Sequence, residues 1–475
     1  MNSNRTYLIL TLTAVLGLLL PSLVQEGMFL DGLTYAAVSK NLANGLGSFW
    51  NPHYTQTLYP SFHEHPPLVF IIQSGFFRVF GDGFLTERIY CLFIAILTIT
   101  GITLCWRLMA QESELRGQFW LPVLIWITTP LIPWAYTNNL LENTMGVFTL
   151  FSVYFILKAI MENRPAWIIP GSIFILAAFL SKGFVGLFPL ITPLLFGFIY
   201  KSRRPFLLFL YLVLSVAAFS LILMLISPEF ITNIRLYFDQ QLIPALNNER
   251  EISAHYRGRI LVHLLLELTL PLIIILVLII THRKTSGHWA PLRQNRFLLL
   301  ILIAFSASIP LIISMKQRNF YLIPSIPFYA MAFSLLIHGL WKRKTLKMPA
   351  RAKKAIQLLS LAALMSIILL SVLNYGKFSR DEEQLRDVYA ISRHFPEGTI
   401  LSTTHDLWSD WNLTAYLSRV GAISLDCDHQ REYFLLDKGS HAAIAEGYAP
   451  AGVVLEGYLL FSILGQRGGG RPVSL

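Results

Sequence analysis

Apolar runs of near membrane-spanning length recur along most of this chain, separated by short loops that carry much of its charge. An α-helix needs about 20 apolar residues to cross a bilayer, and backbone polar groups in lipid are satisfied only inside helices or closed barrels. The pattern therefore restricts most of the chain to a bundle of membrane helices. Only 14% of its residues are charged and 54% are hydrophobic, whereas soluble proteins carry about a quarter charged residues. A net charge of +11 could suit nucleic acid. The basic residues, however, sit in short loops between apolar runs, where the positive-inside rule puts them, so no nucleic-acid partner is expected. Cys91 and Cys105 share one apolar run and Cys427 stands alone, which gives neither a disulfide framework nor a thiolate metal site.

The first run, Thr6 to Val24, follows Arg5 and lacks a small-x-small cleavage site in PSLVQEG, so it reads as a retained helix with a cytoplasmic N-terminus. About eleven spans follow from the same reasoning. Their parity keeps Arg203, Arg204, Arg283, Lys284, Lys342, Arg343, Lys344, Lys353 and Lys354 inside. Two of the spans come from one long apolar stretch broken at Ser181-Lys182-Gly183. From Lys377 the composition turns polar. DEEQLRDVYAISRHF reads as an amphipathic helix, TILST, GAISL and AGVVLEG as strands, and the tail GQRGGGRPVSL as disordered. The expected fold is an all-α polytopic membrane domain over residues 1–375, which includes an external loop 25–88, and a small external α/β domain over 376–475.

That loop, Gly27 to Arg88, gathers Asp31, Tyr35, His63, Glu64, His65 and Arg88 directly after the first span. DGLTYAAVSKNLANG reads as a short interfacial helix with Tyr35, Val38 and Leu42 on one face, Asp31 at its start and Asn44-Gly45 as its stop. Asp31 and Tyr35 share a face, and Asp31 is placed to cap free N–H groups. FHEHPPLVFIIQSGFFRVFG puts Glu64 and His65 in an extended segment ahead of a helix that begins near Pro66 and ends at Gly81. Such a helix is about 22 Å long, short of a hydrocarbon core of about 30 Å, which makes it re-entrant or interfacial. Its N-terminus is a place for a phosphate. His63, His65, Glu64 and Asp31 are also a donor set that suits zinc or manganese.

Three of these stretches together resemble the GT-C membrane glycosyltransferases, the superfamily of the lipid A aminoarabinose transferase and the protein O-mannosyltransferases. The first is DGLTYAAVSKNL followed by FHEHPPL and TER. The second, Ser181 to Gly186, resembles the family's Thr-Lys-Gly-Pro-Val segment. The third, KQRNFYLIPSIP over Lys316 to Pro327, resembles its Lys-x-x-x-Tyr-Leu-x-Pro-x-x-Pro segment. The resemblance covers roughly Arg5 to Leu340. Two positions depart from the pattern. Gly32 follows Asp31 where the family often has an acidic residue, and His65 replaces the lysine before the proline pair, so a permanent charge is lost there.

The resemblance implies an inverting transfer of a sugar from a polyprenyl-phosphate donor to a hydroxyl of a lipid, glycan or protein, on the outer face of the plasma membrane and without a cofactor or metal. Asp31 would be the general base, with capping as its structural alternative. Tyr35, Glu64 and His65 would contact sugar or phosphate. Arg88, Lys182, Lys316 and Arg318 would form a phosphate clamp with Tyr321, since fixed cations facing a leaving phosphate lower the barrier. For Lys182 the alternative is snorkelling, and for Tyr321 a place in the interfacial belt. His255 and Arg250 are further picks from an external loop read at roughly Glu229 to Arg259, and Glu142-Asn143 reads as a cap or a site. A protein O-glycosyltransferase or oligosaccharide ligase of the same fold is the alternative enzyme. A transporter is the alternative of another class, although its charges would be expected near the midplane in repeated halves, and no repeat is visible.

Overall fold

In the computed structural model the described residues are 3–110, 112–247, 249, 253–281, 294–347, 349–440 and 447–463. They fall into two compact units. The first contains Met1–Val24, Glu64–Val69 and Arg88–Tyr375, and the second contains Gln25–His63, Phe70–Glu87 and Gly376–Leu475.

The first unit is helical, and the apolar runs account for it. Among the described residues, eight helical stretches are long and apolar enough to cross a membrane. They are Asn4–Leu23, Leu85–Met109, Leu141–Met161, Pro165–Tyr200, Arg204–Ile226, Asn295–Ile313, Asn319–His338 and Ala350–Leu373. A ninth span is made if Arg259–Glu267 and Thr269–Leu278, bent by 56°, count as one. Two segments explain why these are fewer than the runs read from sequence. The run after Phe119 divides into Trp120–Ile127 and Leu131–Thr137. Pro130 offers no N–H and disfavours helical geometry at Thr129 before it, so neither piece has spanning length. The stretch Pro165–Tyr200 is 36 residues long. At 1.5 Å per residue that is about 54 Å, well beyond one hydrocarbon core. It is interrupted where the sequence suggests: the helix Ile168–Lys182 stops at Gly183 (φ 75°, ψ −145°), and a 3₁₀ segment, Gly183–Ile191, leads into the helix Thr192–Tyr200.

Small and hydroxylated residues let these helices approach. Ser152 donates to the Gly171 carbonyl at 3.0 Å, beside an apolar cluster of Ile156, Ala159, Ile168, Ile175, Leu208 and Leu212. Thr13 donates to the Ser360 carbonyl and Gln357 to the Thr6 hydroxyl, which ties the first helix to the last.

The second unit is α/β. Its five strands are β1 (Ile400–Thr403), β2 (Ser424–Asp426), β3 (Tyr433–Asp437), β4 (Tyr448–Pro450) and β5 (Tyr458–Ile463), in the order β2-β1-β3-β5-β4. β1 is parallel to β2 and β3, while β5 is antiparallel to β3 and β4. The sequence reading of AGVVLEG as a strand is corrected: it is the connection between β4 and β5, and β3, β4 and β5 are the strands the reading missed. The amphipathic helix is present as Glu382–His394, with Leu385, Val388 and Ile391 buried at helical spacing. The glycine-rich tail lies outside the described residues.

The loop after the first span does not form an interfacial helix. The helix Leu30–Ala43 is buried along Gly32–Leu42, and Met28 and Leu33 belong to the same apolar core as Leu385, Val388, Leu417 and Leu435. With alanine, serine and threonine between its larger apolar residues, this helix is small enough to be packed on most sides. It ends at Asn44, and Gly45 follows at φ 82°, as the stop signal predicts.

Candidate functional site

In the first unit the break at Gly183 builds one wall of a cavity. A Cβ on Gly183 would lie 2.0 Å from the Tyr237 hydroxyl, and the positive φ independently favours glycine. Only a bare Cα lets Tyr237 seat against this turn. The Phe184 ring then stacks on Tyr237 (6.4 Å between centroids) and meets Phe238 edge-on (5.2 Å). The cavity beside them measures about 360 Å³. Its polar lining includes Glu64, His65, Glu142, Lys182, Gln241, Lys316 and Tyr321, and its apolar lining includes Phe184, Val185, Phe188, Leu242, Pro310 and Leu311. A second hollow of about 390 Å³, lined by Leu187, Leu190, Ile191, Phe305 and Ile309, shares Phe188, Ser306 and Pro310 with the first. An ionic chamber thus borders an apolar groove.

Lys182 does not snorkel. It is 8% exposed and ion-paired with Glu142, which is 1% exposed. Its ammonium stands 5.0 Å from the Tyr321 ring centroid and 5.6 Å from that of Phe320, within cation–π range. Glu142 sits in the first turn of the helix Leu141–Met161, where the helix dipole favours a carboxylate. The capping position itself is Leu140, so Glu142 is the partner of Lys182. The sequence offered one signal for this: a glutamate opening an apolar run needs a partner.

Lys316 and Tyr321 line the cavity on either side of a turn held by Gln317, which the sequence reading passed over. Gln317 is buried, accepts the Ile260 N–H at 2.9 Å, and donates to the carbonyls of Arg257 (2.7 Å) and Ser314 (3.0 Å). A glutamine between Lys316 and Arg318 gives no sequence sign of that role.

Other expected site residues lie elsewhere. Arg88 is buried and donates to the Thr137 carbonyl, and it does not line this cavity. His255 and Arg318 are exposed and also outside its lining. Arg250 lies outside the described residues.

In the second unit, Asp31 is half-buried in the first turn of its helix. The N-cap is Phe29, so the reading of Asp31 as the cap is corrected. Tyr35, one turn on, is 4% exposed with its ring 5.9 Å from that of Phe70. Burial holds the His63 imidazole below its ordinary pKa. Among the described residues, no three His, Cys, Asp or Glu side chains are grouped to hold a metal ion.

Two buried ionic centres in this unit went unread. Arg419 binds both Glu87 carboxylate oxygens (3.1 and 2.7 Å) and the carbonyls of Asp82 and Gly83 (3.0 Å each). Lys40 is 2% exposed and donates to the carbonyls of Arg419 and Val420 (3.3 Å each). The partners of Arg419 and of Lys40 all come from distant sequence, which no local pattern announces.

A family model described as dolichyl-phosphate-mannose-protein mannosyltransferase matches residues 64–231. No curated protein sequence matches the chain significantly. Among solved structures, the chain is similar to ArnT from Cupriavidus metallidurans bound to undecaprenyl phosphate, at a TM-score of 0.69 and 14% identity over 99% of this chain and 100% of that one. It is similar also to the apo state of the same protein, at a TM-score of 0.66 and 14% identity over 97% and 98% of the two chains.

Proposed function

We propose that this integral membrane chain belongs to the GT-C superfamily and is a glycosyltransferase that moves a sugar from a polyprenyl phosphate to an acceptor hydroxyl at the extracytoplasmic face, a reading supported by the family model over residues 64–231 and by the fold. The observation that carries the proposal is the junction of an ionic chamber holding Lys182, Lys316 and Tyr321 with the apolar groove at Phe188 and Pro310. That combination matches an amphiphile with an anionic head and a hydrocarbon tail. The similarity in fold to a protein crystallised with undecaprenyl phosphate supports the same choice of donor.

In this reading the acceptor oxygen attacks the anomeric carbon and the bond from that carbon to the phosphate oxygen breaks. Configuration inverts in one displacement, and the polyprenyl phosphate departs with its electron pair. Lys182, Lys316 and the Tyr321 hydroxyl face the negative charge that grows on the departing phosphate, and preorganised donors of this kind are worth most where water is excluded. Asp31 takes the hydroxyl proton as general base, a role resting on the resemblance of its loop. The acceptor is a lipid, a glycan or a protein, and the family model's description raises the protein alternative.

Purified protein in proteoliposomes, supplied with radiolabelled polyprenyl-phosphate sugars and membrane lipid, glycan or peptide acceptors, tests the proposal. Label should move covalently to an acceptor. Label that crosses the bilayer still attached to its lipid would make the protein a transporter and overturn the proposal.

A further inference from the structure

Gln241 is 8% exposed and lines the cavity that holds Glu142 and Lys182. Among the described residues, its side-chain carbonyl oxygen has no hydrogen-bond partner. Buried polar atoms are paired in the great majority of cases, and an unpaired one carries a desolvation penalty. The local backbone puts Gln241 there. Phe238–Leu242 is a single π-helical turn between the helices Glu229–Tyr237 and Ile243–Leu246. Single π-turns inside helices are frequent at functional sites, and the extra residue shifts the side chains that follow around the helix. The segment is also anchored, since Tyr237, one turn before Gln241, seats against Gly183. The orphan oxygen is therefore held by its backbone in a cavity with room for a ligand.

We propose that Gln241 is a specificity-determining residue whose side-chain carbonyl accepts a hydrogen bond from a hydroxyl of the transferred sugar. The inference rests on the glycosyl-transfer reading and deepens it. A carbonyl oxygen needs a donor. The ionised phosphate of a polyprenyl-phosphate sugar has only acceptor oxygens, and the prenyl tail has no polar atoms, which leaves the sugar hydroxyls as the part of the donor that satisfies it. Sites built around a substrate hydroxyl discriminate strongly, because a ligand without it leaves the buried partner unpaired.

The test uses the full-length protein in detergent and in nanodiscs, with two variants of similar shape, Gln241→Met and Gln241→Leu. The probes are polyprenyl phosphate itself and its glucosyl, mannosyl and aminopentosyl conjugates. Wild-type protein should bind at least one conjugate about tenfold more tightly than the sugar-free phosphate. Both variants should lose that preference while they bind the sugar-free phosphate as wild type does. Removing an unpaired buried carbonyl should also raise the thermal midpoint of the ligand-free protein, which loss of a structural hydrogen bond would not do. An unchanged preference in the variants overturns the role of Gln241 alone. Equal weakening for all probes overturns it too, by assigning the residue to phosphate binding or to structure. Wild-type protein that binds the sugar-free phosphate as tightly as every conjugate removes it as well. If wild type binds no polyprenyl phosphate at all, the transfer reading falls with it.

Discussion

Replacing Glu142 by glutamine keeps the shape of the side chain and removes the charge that neutralises Lys182. Both groups are nearly out of solvent, at 1% and 8% exposure. Breaking such a pair by removing one partner typically costs about 3–5 kcal/mol, because the surviving charge stays buried. Lys182 borders a cavity that water can enter and its ammonium faces two aromatic rings, so the lower end, about 3 kcal/mol, is expected. The partner substitution, Lys182→Met, should destabilise to a similar degree. The double variant should recover part of the loss, since a buried ion pair replaced as a unit by neutral groups is often tolerated. Ligand binding should separate the two residues. Glu142→Gln removes a fixed negative charge beside the proposed phosphate position and should tighten binding of sugar-free polyprenyl phosphate, whereas Lys182→Met should weaken it at least tenfold. Thermal unfolding of the four proteins in detergent and titration with polyprenyl phosphate measure both effects. Strictly additive destabilisation, or weaker phosphate binding in Glu142→Gln, would refute this account of the pair.

Three further outcomes are expected. Asp31→Asn should leave a folded protein, because Phe29 and not Asp31 occupies the N-cap, and transfer should fall by about 10² to 10⁴; near-normal turnover ends the general-base assignment. In the second unit, Arg419→Met strands the Glu87 carboxylate, 4% exposed, and should lower stability by about 3–5 kcal/mol, read as a loss of thermal midpoint that Arg419→Lys restores only in part because lysine cannot bridge both oxygens. In a background without native cysteines, Arg393→Cys should react with an impermeant thiol reagent in intact cells and Lys201→Cys should not; the reverse pattern would invert the proposed topology.

The membrane helices were legible in the sequence because lipid imposes one simple rule, length and apolarity, that each segment obeys by itself. The break at Lys182-Gly183, the stop at Asn44-Gly45 and the helix Glu382–His394 were legible for a similar reason: proline, glycine and helical periodicity act locally. Lys182, Lys316, Tyr321, Glu64 and His65 could be singled out as polar groups next to apolar runs, and they line one cavity. What tertiary structure decided were relations between distant residues. Glu142 became the partner of Lys182, 40 positions away, and Glu87 that of Arg419, 332 positions away. Met28 and Leu33 joined the core of a sheet whose first strand begins at Ile400. A buried charge demands a partner, and an apolar helix face demands cover, but neither demand specifies from sequence who supplies it. Gln241 went unread for the same reason, since an unpaired carbonyl exists only once the surrounding walls have closed over it.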